Sequence, residues 1–256
     1  MLRTERYRMI ESIVNEKQLI SISDLTEALN ASKATVYRDL KELDRLGRVQ
    51  AIRGGAAKAE YLDSISADRP YDEKTTLNAE EKARIAHAAC GMLEPGMTIY
   101  LDSSTTVYHM CDELAAMQDI RVITNDVHIA ARLSNAPGIS VYVSGGYLRK
   151  NYYTLTSFTG ETFLNQLTAN ITFASCDAIT AERGCMITNS DEVSIKKQML
   201  AIASKRVLLC DHSKFNHTAF VTFAPLEEID HIIVGRELPE GVCSRFEEKG
   251  VTLMLV

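Results

Sequence analysis

Two groups of residues in this 256-residue chain are of types that do chemistry at their spacing. The first is the polar run Asp102-Ser103-Ser104-Thr105-Thr106, set directly after the apolar run MTIYL and just ahead of a helical pattern. Hydroxyl side chains beside the free N–H groups of a helix start can cradle a phosphate. Asn125, Gly145-Gly146 and Lys214 follow later apolar runs in the same manner. A Gly pair lets the backbone approach a ligand closely, and a lysine offers a compact cation. Each has a plainer explanation. A Ser/Thr run before a helix is more often a cap, Gly-Gly is more often a turn, and a lone Lys more often lies on the surface. Their recurrence at one kind of position favours a polar site for an anionic small molecule.

The second group lies in SKATVYRDLKELDRLG, residues 32–47. Turned at 100° per residue, Val36, Leu40 and Leu43 share one face, and Arg38, Lys41 and Arg45 share the opposite one. Three cations on the outer face of a short helix suit the major groove of DNA, where Arg reads guanine edges and Lys or Arg holds phosphates. The alternative is a solvated face, partly compensated by Glu42 and Asp44.

The elements that would position these groups are legible in outline. RTERYRMIESIVNEK puts Tyr7, Ile10, Ile13 and Val14 on one helical stripe. SDLTEAL follows as a second helix with Ser23 as its expected N-cap, and a third starts at Ser32 and ends at Gly47. RVQAIRGGAA then alternates and turns at Gly54-Gly55, with Arg48 and Arg53 adding charge. Helix-turn-helix plus a basic hairpin is a winged helix. Residues 1–58 carry 11 Lys+Arg against 8 Asp+Glu, whereas 59–256 carry 17 against 26. A basic head on an acidic body implies different partners for the two.

Residues 59–76 lack periodicity and contain Pro70, which suits a linker. Asn78-Ala79-Glu80-Glu81 looks like a capping box opening a helix that runs to Gly91. Beyond it, MTIYLD, IRVIT, ISVYVS, NITFAS, RVLLCD and HIIV are strand-like runs, several separated by helical patterns such as TTVYHMCDELAAM and DVHIAARLSN. Alternating strands and helices make an α/β domain with a largely parallel sheet. Its ligands bind beyond the carboxyl ends of the strands. The six cysteines form no C-x-x-C pair and sit among apolar neighbours, so reduced core thiols are expected, with no metal and no cofactor. No run is long enough to span a membrane. The charged N-terminus lacks the apolar segment of a signal peptide, so a cytoplasmic location is expected.

ASKATVYRDLKELDRLGRVQAIRGGA resembles the DNA-binding signature of the DeoR family of bacterial transcription regulators. The matching features are Ser32-x-x-Thr35, Arg38-Asp39-Leu40 and the terminal Gly-Gly-Ala. The body resembles the sensor domain of the same family at LDSSTT, VITND, GGYLRK, Thr159-Gly160, DEVSIKKQML and CDHSKF. The resemblance implies a winged helix-turn-helix domain over 1–58, a linker over 59–76 and an α/β effector-sensing domain over 77–256, similar in fold to sugar-phosphate isomerases and CoA transferases. It also implies a homo-oligomeric repressor of a sugar-metabolism operon. Ser32, Lys33, Thr35, Tyr37, Arg38, Lys41, Arg45 and Arg53 would contact double-stranded operator DNA. Asp102, Ser103, Ser104, Thr105, Thr106, Asn125, Gly145, Gly146, Lys196 and Lys214 would contact a phosphorylated sugar. The chain departs from the family pattern at Tyr37, where Arg or His is usual, and at Ser104, Ser175 and Ala178, where glycines are usual. The last three are expected to narrow the ligand site. The chief rival is a sugar-phosphate isomerase or deaminase fused to a DNA-binding head. It has Asp102, Asp177, Glu192 and Asp211 as candidate bases but no visible group to orient one. A body that only oligomerises is the other.

Overall fold

Tyr7, Ile10 and Val14 recur at helical spacing because they line the buried side of helix α1 (Arg3–Lys17). The computed structural model describes residues 3–17, 19–52, 55–57, 71–156 and 162–256. By its contacts the chain divides into two compact units, Met1–Ala67 and Asp68–Val256.

In the first unit, α1 packs with α2 (Ile22–Leu29) and α3 (Lys33–Arg45) around Ile10, Leu25, Val36, Leu40 and Leu43. The strands β1 (Leu19–Ser21), β2 (Gln50–Ile52) and β3 (Gly55–Ala57) pair antiparallel in the order β1-β3-β2. Helix α2 starts at Ile22, so Ser23 lies inside it and is not its cap. The short strand β1 runs straight into the helix and leaves no room for a separate cap. Helix α3 starts as expected, with the Ser32 side chain accepting from the Thr35 N–H. It ends in a Schellman arrangement. Gly47 adopts φ 66°, Arg48 N–H reaches Leu43 O at 2.9 Å and Gly47 N–H reaches Asp44 O at 2.9 Å. Asp39, buried on α3, takes a two-pronged bond from the Arg6 guanidinium of α1, at 2.7 Å from Nε and 3.3 Å from Nη2. Arg53 and Gly54 lie outside the described residues.

The second unit opens on α4 (Tyr71–Thr76), a helix within the stretch expected as linker; residues 59–70 of that stretch lie outside the described residues. Tyr71 is buried edge-on against Tyr153 and His128. Helix α5 (Ala79–Cys90) follows. The sheet, among the described residues, has seven strands, all parallel: β4 (Thr98–Leu101), β5 (Ile120–Thr124), β6 (Ile139–Val143), β9 (Ala169–Ala174), β12 (Ala203–Leu209), β14 (His231–Val234) and β15 (Thr252–Leu255). The first six are the six apolar runs of the sequence, and β15 is an additional edge strand. Alternation divides its side chains between two cores. Ile99 and Leu101 face one layer with Val207, Leu209 and Ile233, while Tyr100 faces the other with Leu208 and Ile232. The six cysteines are free and buried, as core thiols should be.

The strand order is β15-β14-β12-β9-β4-β5-β6. From β4 the chain runs outward through β5 to the β6 edge, then returns to β9 and proceeds to the opposite edge. The direction therefore reverses between β4 and β9, the place where doubly wound sheets open a crevice. Between β6 and β9 the chain forms a two-stranded antiparallel sheet, β7 (Tyr147–Leu148) and β8 (Leu155–Thr156); after β9, β10 (Ala178–Thr180) and β11 (Gly184–Ile187) lead into helix α9 (Val193–Ala201) and are joined in a small antiparallel sheet by β13 (Val221–Ala224). The β10–β11 turn needs Gly184. Its φ is 73°, and a Cβ there would collide with the Ala224 carbonyl oxygen and lie 2.8 Å from Cα of Pro225. Gly184→Ala is expected to destabilise the body by more than about 1 kcal/mol, lowering its melting temperature by at least about 2 °C. A thermal melt equal to that of the wild type would refute this role.

Candidate functional site

The strand-end residues from both sides of the reversal meet at the carboxyl edge of the sheet. Asp102 directly follows β4 at 1 % exposure. Its Oδ2 accepts from Ser175 N–H at 2.9 Å, from Ser175 Oγ–H at 2.6 Å and from Lys196 Nζ at 2.5 Å. Lys196, 3 % exposed on the first turn of α9, also donates to Ser175 O at 3.1 Å. Burial pulls the Lys196 ammonium down, but Asp102 and Glu192 more than offset it, so its pKa stands above the usual lysine range. Glu192 is pushed up by burial, against Lys196 and Arg149, and accepts from Arg149 Nη1 at 2.7 Å. The hydroxyl of Ser175, where the family pattern has glycine, is thus bonded to Asp102. Ala178 is buried with Met186 and Ala219.

The hydroxyl run divides its labour. Ser104 is the N-cap of a one-turn helix, α6 (Thr105–Tyr108), and accepts from Thr106 N–H at 3.1 Å and Val107 N–H at 3.5 Å. The plainer explanation therefore holds for Ser104, and so short a helix contributes little dipole. The expected helical run TTVYHMCDELAAM is in fact two short helices, α6 and α7 (Cys111–Leu114). Ser103 Oγ donates to Asp126 Oδ2 at 2.7 Å and lies 2.7 Å from Thr154 Oγ1. Thr105 and Thr106 are buried beside it. Asn125 follows β5 at 1 % exposure, donating to Leu155 O at 3.4 Å, and its Oδ1 is buried without a hydrogen-bond partner among the described residues. Asp126 caps helix α8 (Val127–Leu133), and burial raises its pKa. Gly145 and Gly146 follow β6 at φ 74° and 126°, the left-handed range that favours glycine. Lys214 closes a one-turn 3-10 segment (His212–Lys214) capped by Asp211.

Several groups at this edge escaped the sequence pattern. Asn78 and Glu81 do not form a capping box. Asn78 sits at φ 53° and donates to Asp211 Oδ1 at 2.8 Å. Glu81 Oε1 takes His212 N–H at 2.8 Å and Gly235 N–H at 3.1 Å, and its Oε2 lies 2.7 Å from His212 Nδ1. The start of α5 is thereby stitched to the ends of β12 and β14, which these side chains reach more rewardingly than their own helix. Glu81, Asp211 and His212 lie within 4.8 Å of one another, a spacing a cation could bridge. Their facing atoms, however, already bond to backbone N–H groups, to Asn78 and to each other. Lys74 of α4 meets Asp177 Oδ1 at 3.0 Å. Lys82 of α5 is buried and donates to Lys74 O at 2.5 Å.

On the head, Lys33, Tyr37, Arg38 and Lys41 lie on the exposed side of α3, Tyr37 at 55 % exposure. Arg38 and Lys41 make no ion pair among the described residues. Arg45, 67 % exposed, is engaged by Glu42 at 2.8 and 3.1 Å. Ser32 and Thr35 bond to each other at 2.9 Å and cap the helix. A groove of about 400 Å³ runs beside Tyr37, Arg38 and Lys41, floored by Ile22, Leu40 and Ala51. Asp39, unmarked by the charge pattern, is the anchor that sets the angle of α3 against α1.

Two carboxylates report on acid stability. Burial pushes Asp177 and Asp211 upward. Lys74 and the Thr188 N–H outweigh it at Asp177, and Lys214, Ser213, Lys82 and Asn78 at Asp211, so both stand below the usual range. A folded-state value below the unfolded one (about 3.9) stabilises above that pH and loses its effect as pH falls. The melting temperature should therefore drop between about pH 5 and about pH 3, and Asp177→Asn should shallow that drop. An unchanged slope in the variant would remove Asp177 from the acid response.

Comparison with known proteins agrees with this geometry. Residues 6–61 match the DeoR-like helix-turn-helix domain, and residues 77–236 match the DeoR C-terminal sensor domain. The HTH-type transcriptional regulator GlpR of Haloferax volcanii is 33 % identical, over 99 % of this chain and 98 % of its own. A putative aga operon transcriptional repressor of Escherichia coli O157:H7 is 27 % identical, over 99 % and 94 %. Ribose 5-phosphate isomerase A of Methanocaldococcus jannaschii overlaps 54 % of the chain and 55 % of its own at 17 % identity and a TM-score of 0.40. With both domain models matched in order and relatives aligned end to end, the chain belongs to the DeoR family of transcription regulators.

Proposed function

We propose that this regulator is a cytoplasmic repressor of a sugar-metabolism operon, which binds double-stranded operator DNA through its head as a homo-oligomer and is released by a phosphorylated sugar bound to its body. The observation that carries the proposal is the state of α3. One face is buried in the head, and the other holds Arg38 and Lys41 exposed and without an ion pair among the described residues. Unpaired cations on a rigid helix suit phosphate and base edges. Arg45, held by Glu42, is the weaker candidate of the three. Closed operator symmetry calls for at least a dimer. The names of the relatives, among them an aga operon repressor, agree with a sugar operon.

The body suits binding better than turnover. Asp102 accepts three donors, Asp177 holds Lys74 and the Thr188 N–H, Glu192 holds Arg149, and Asp211 holds Asn78 and Ser213. Each carboxylate that could serve as a base is thus engaged, whereas general-base catalysis needs one poised toward substrate. Turnover on a panel of sugar phosphates that vanishes in Asp102→Asn would favour the enzyme instead.

Arg38→Ala is expected to weaken operator binding by about 1–3 kcal/mol and relax specificity at one base pair. Lys41→Ala should weaken binding to all sequences and reduce the salt dependence by about one counterion. Fluorescence anisotropy on operator and scrambled duplexes separates the two, and intact operator affinity in Arg38→Ala would exclude α3 as the reading helix.

Effector and DNA must weaken one another by the same factor. Lys214→Ala and Thr105→Val are expected to bind operator normally without effector but to need more sugar phosphate for release. Were Thr105 only packed under its helix, Thr105→Val would shift the melting temperature and leave the dose-response where it was.

A further inference from the structure

Tyr37 is the fifth residue of α3 and the most exposed large apolar side chain of the described head, at 55 %. Its hydroxyl has no hydrogen-bond partner, and no cation lies over its ring, among the described residues. Turned at 100° per residue, it falls about 40° from Lys33 and about 40° from Lys41, one turn away on either side, and about 60° from Ala34. These three are exposed, as is Arg38, and neither lysine makes an ion pair among the described residues. The outward side of α3 is therefore an apolar strip, Ala34 and Tyr37, edged by cations. The groove beside it has an apolar floor of Ile22, Leu40 and Ala51, so the ring borders a hollow and is not packed away.

A ring of this size held in water forgoes the gain of burial, and on a face that meets DNA it has a use. Lys33 and Lys41 are eight residues apart, about 12 Å along the helix, and the major groove of B-DNA is about 12 Å wide. Two lysines at that separation can reach phosphates on opposite walls while Tyr37, midway between them, meets base edges. Those edges differ in kind. Guanine and adenine present ring and carbonyl acceptors, cytosine an amino donor, and thymine alone a methyl group. The negative face of an aromatic ring repels acceptors, whereas against a methyl both partners shed water.

We propose that Tyr37 reads thymine. Its ring packs on the C5 methyl of one thymine in each half-site and sets the base preference of the regulator at that position. An arginine there would read guanine instead. The proposal rests on the operator reading of the head and names a base which that reading leaves open.

Selection of duplexes from a randomised pool by the full chain, followed by fluorescence anisotropy on the selected operator, tests it. The wild type is expected to select thymine at one position of each half-site. Tyr37→Phe should keep that thymine, Tyr37→Ala should leave the position unspecified, and Tyr37→Arg should change it to guanine, with the rest of the operator unaltered. Replacing the thymine by uracil in one half-site removes the methyl alone. That change should weaken the wild type about three- to fivefold and Tyr37→Ala by less than about twofold. Because the side chain is exposed, all three variants should melt with the wild type, so a changed preference is not a folding effect. Wild-type affinity indifferent to uracil overturns the proposal. So does a Tyr37→Phe variant that loses its thymine, since the hydroxyl and not the ring would then be the reader. A Tyr37→Ala variant weakened equally on every sequence overturns it too, for Tyr37 would then hold a phosphate. If the wild type selects an operator and Tyr37→Ala selects the same one, the thymine contact falls and the operator reading stands. If the wild type selects no sequence, the operator reading falls and the contact with it.

Discussion

Lys196 and Asp102 are 94 residues apart in sequence, and each brings a full charge into the carboxyl edge of the sheet where the strand order reverses. Two such charges cost several kcal/mol each to strip of water, and their attraction repays that only when the remaining lone pairs and protons are also satisfied. Here they are. Ser175 gives Asp102 a backbone and a hydroxyl donor, and its carbonyl takes a Lys196 proton. The Phe223 ring lies 5.3 Å from the ammonium and closes the far side. The three residues come from the ends of β4 and β9 and the start of α9, so one node fixes three loops around the crevice. An apolar trio of the same volume would often be as stable. What it would not provide is an edge of fixed polarity on which Glu192 and Arg149 can then build.

From that node the polar edge spreads in two directions with opposite character. Toward β5 and β6 it is made of Ser103, Thr154, Asn125 and the buried acid Asp126, all neutral or negative. Toward β12 it is made of Lys74, Lys82 and Lys214 threaded among Asp177 and Asp211. A ligand with hydroxyls at one end and a strong anion at the other matches this gradient. The cationic half includes α4, the described helix that follows the head in sequence. Tyr71 anchors it among Tyr153 and His128, and Lys74 ties it to Asp177.

Much of this was legible in the residue order, for identifiable reasons. Six of the seven parallel strands announced themselves as apolar runs because both faces of a parallel sheet are covered. The edge strand β15 did not, since Met254 and Leu255 are exposed. The exposed cationic face of α3 followed from its period, but the role of Asp39 did not, because a buried acid bonded to Arg6 has no local signature. Asn78 and Glu81 misled in a different manner. Their spacing fits a capping box, and only the fold reveals that Asp211, His212 and Gly235 are better partners. Lys82 was hidden within EEKARIAHAAC, where a lysine among helix formers looks like ordinary surface charge. Local spacing identifies the elements; it does not say which polar side chains leave their own element to meet another.

That distinction bears on what the carboxyl edge of such a sheet can do. A parallel sheet with a reversal presents strand-end residues at a single edge whatever its task. Catalysis requires at least one of them to be left with unsatisfied capacity toward the substrate, at a pKa near the working pH. In this chain the four acids that the sequence offers as candidate bases, Asp102, Asp177, Glu192 and Asp211, are each bound to a cation or to several donors, and two are held on the ionised side. The groups left with capacity are of the opposite kind: the buried Asn125 oxygen, the Lys82 ammonium and Lys214. An edge that keeps its acids occupied and its cations available is better suited to holding an anion than to drawing a proton from one.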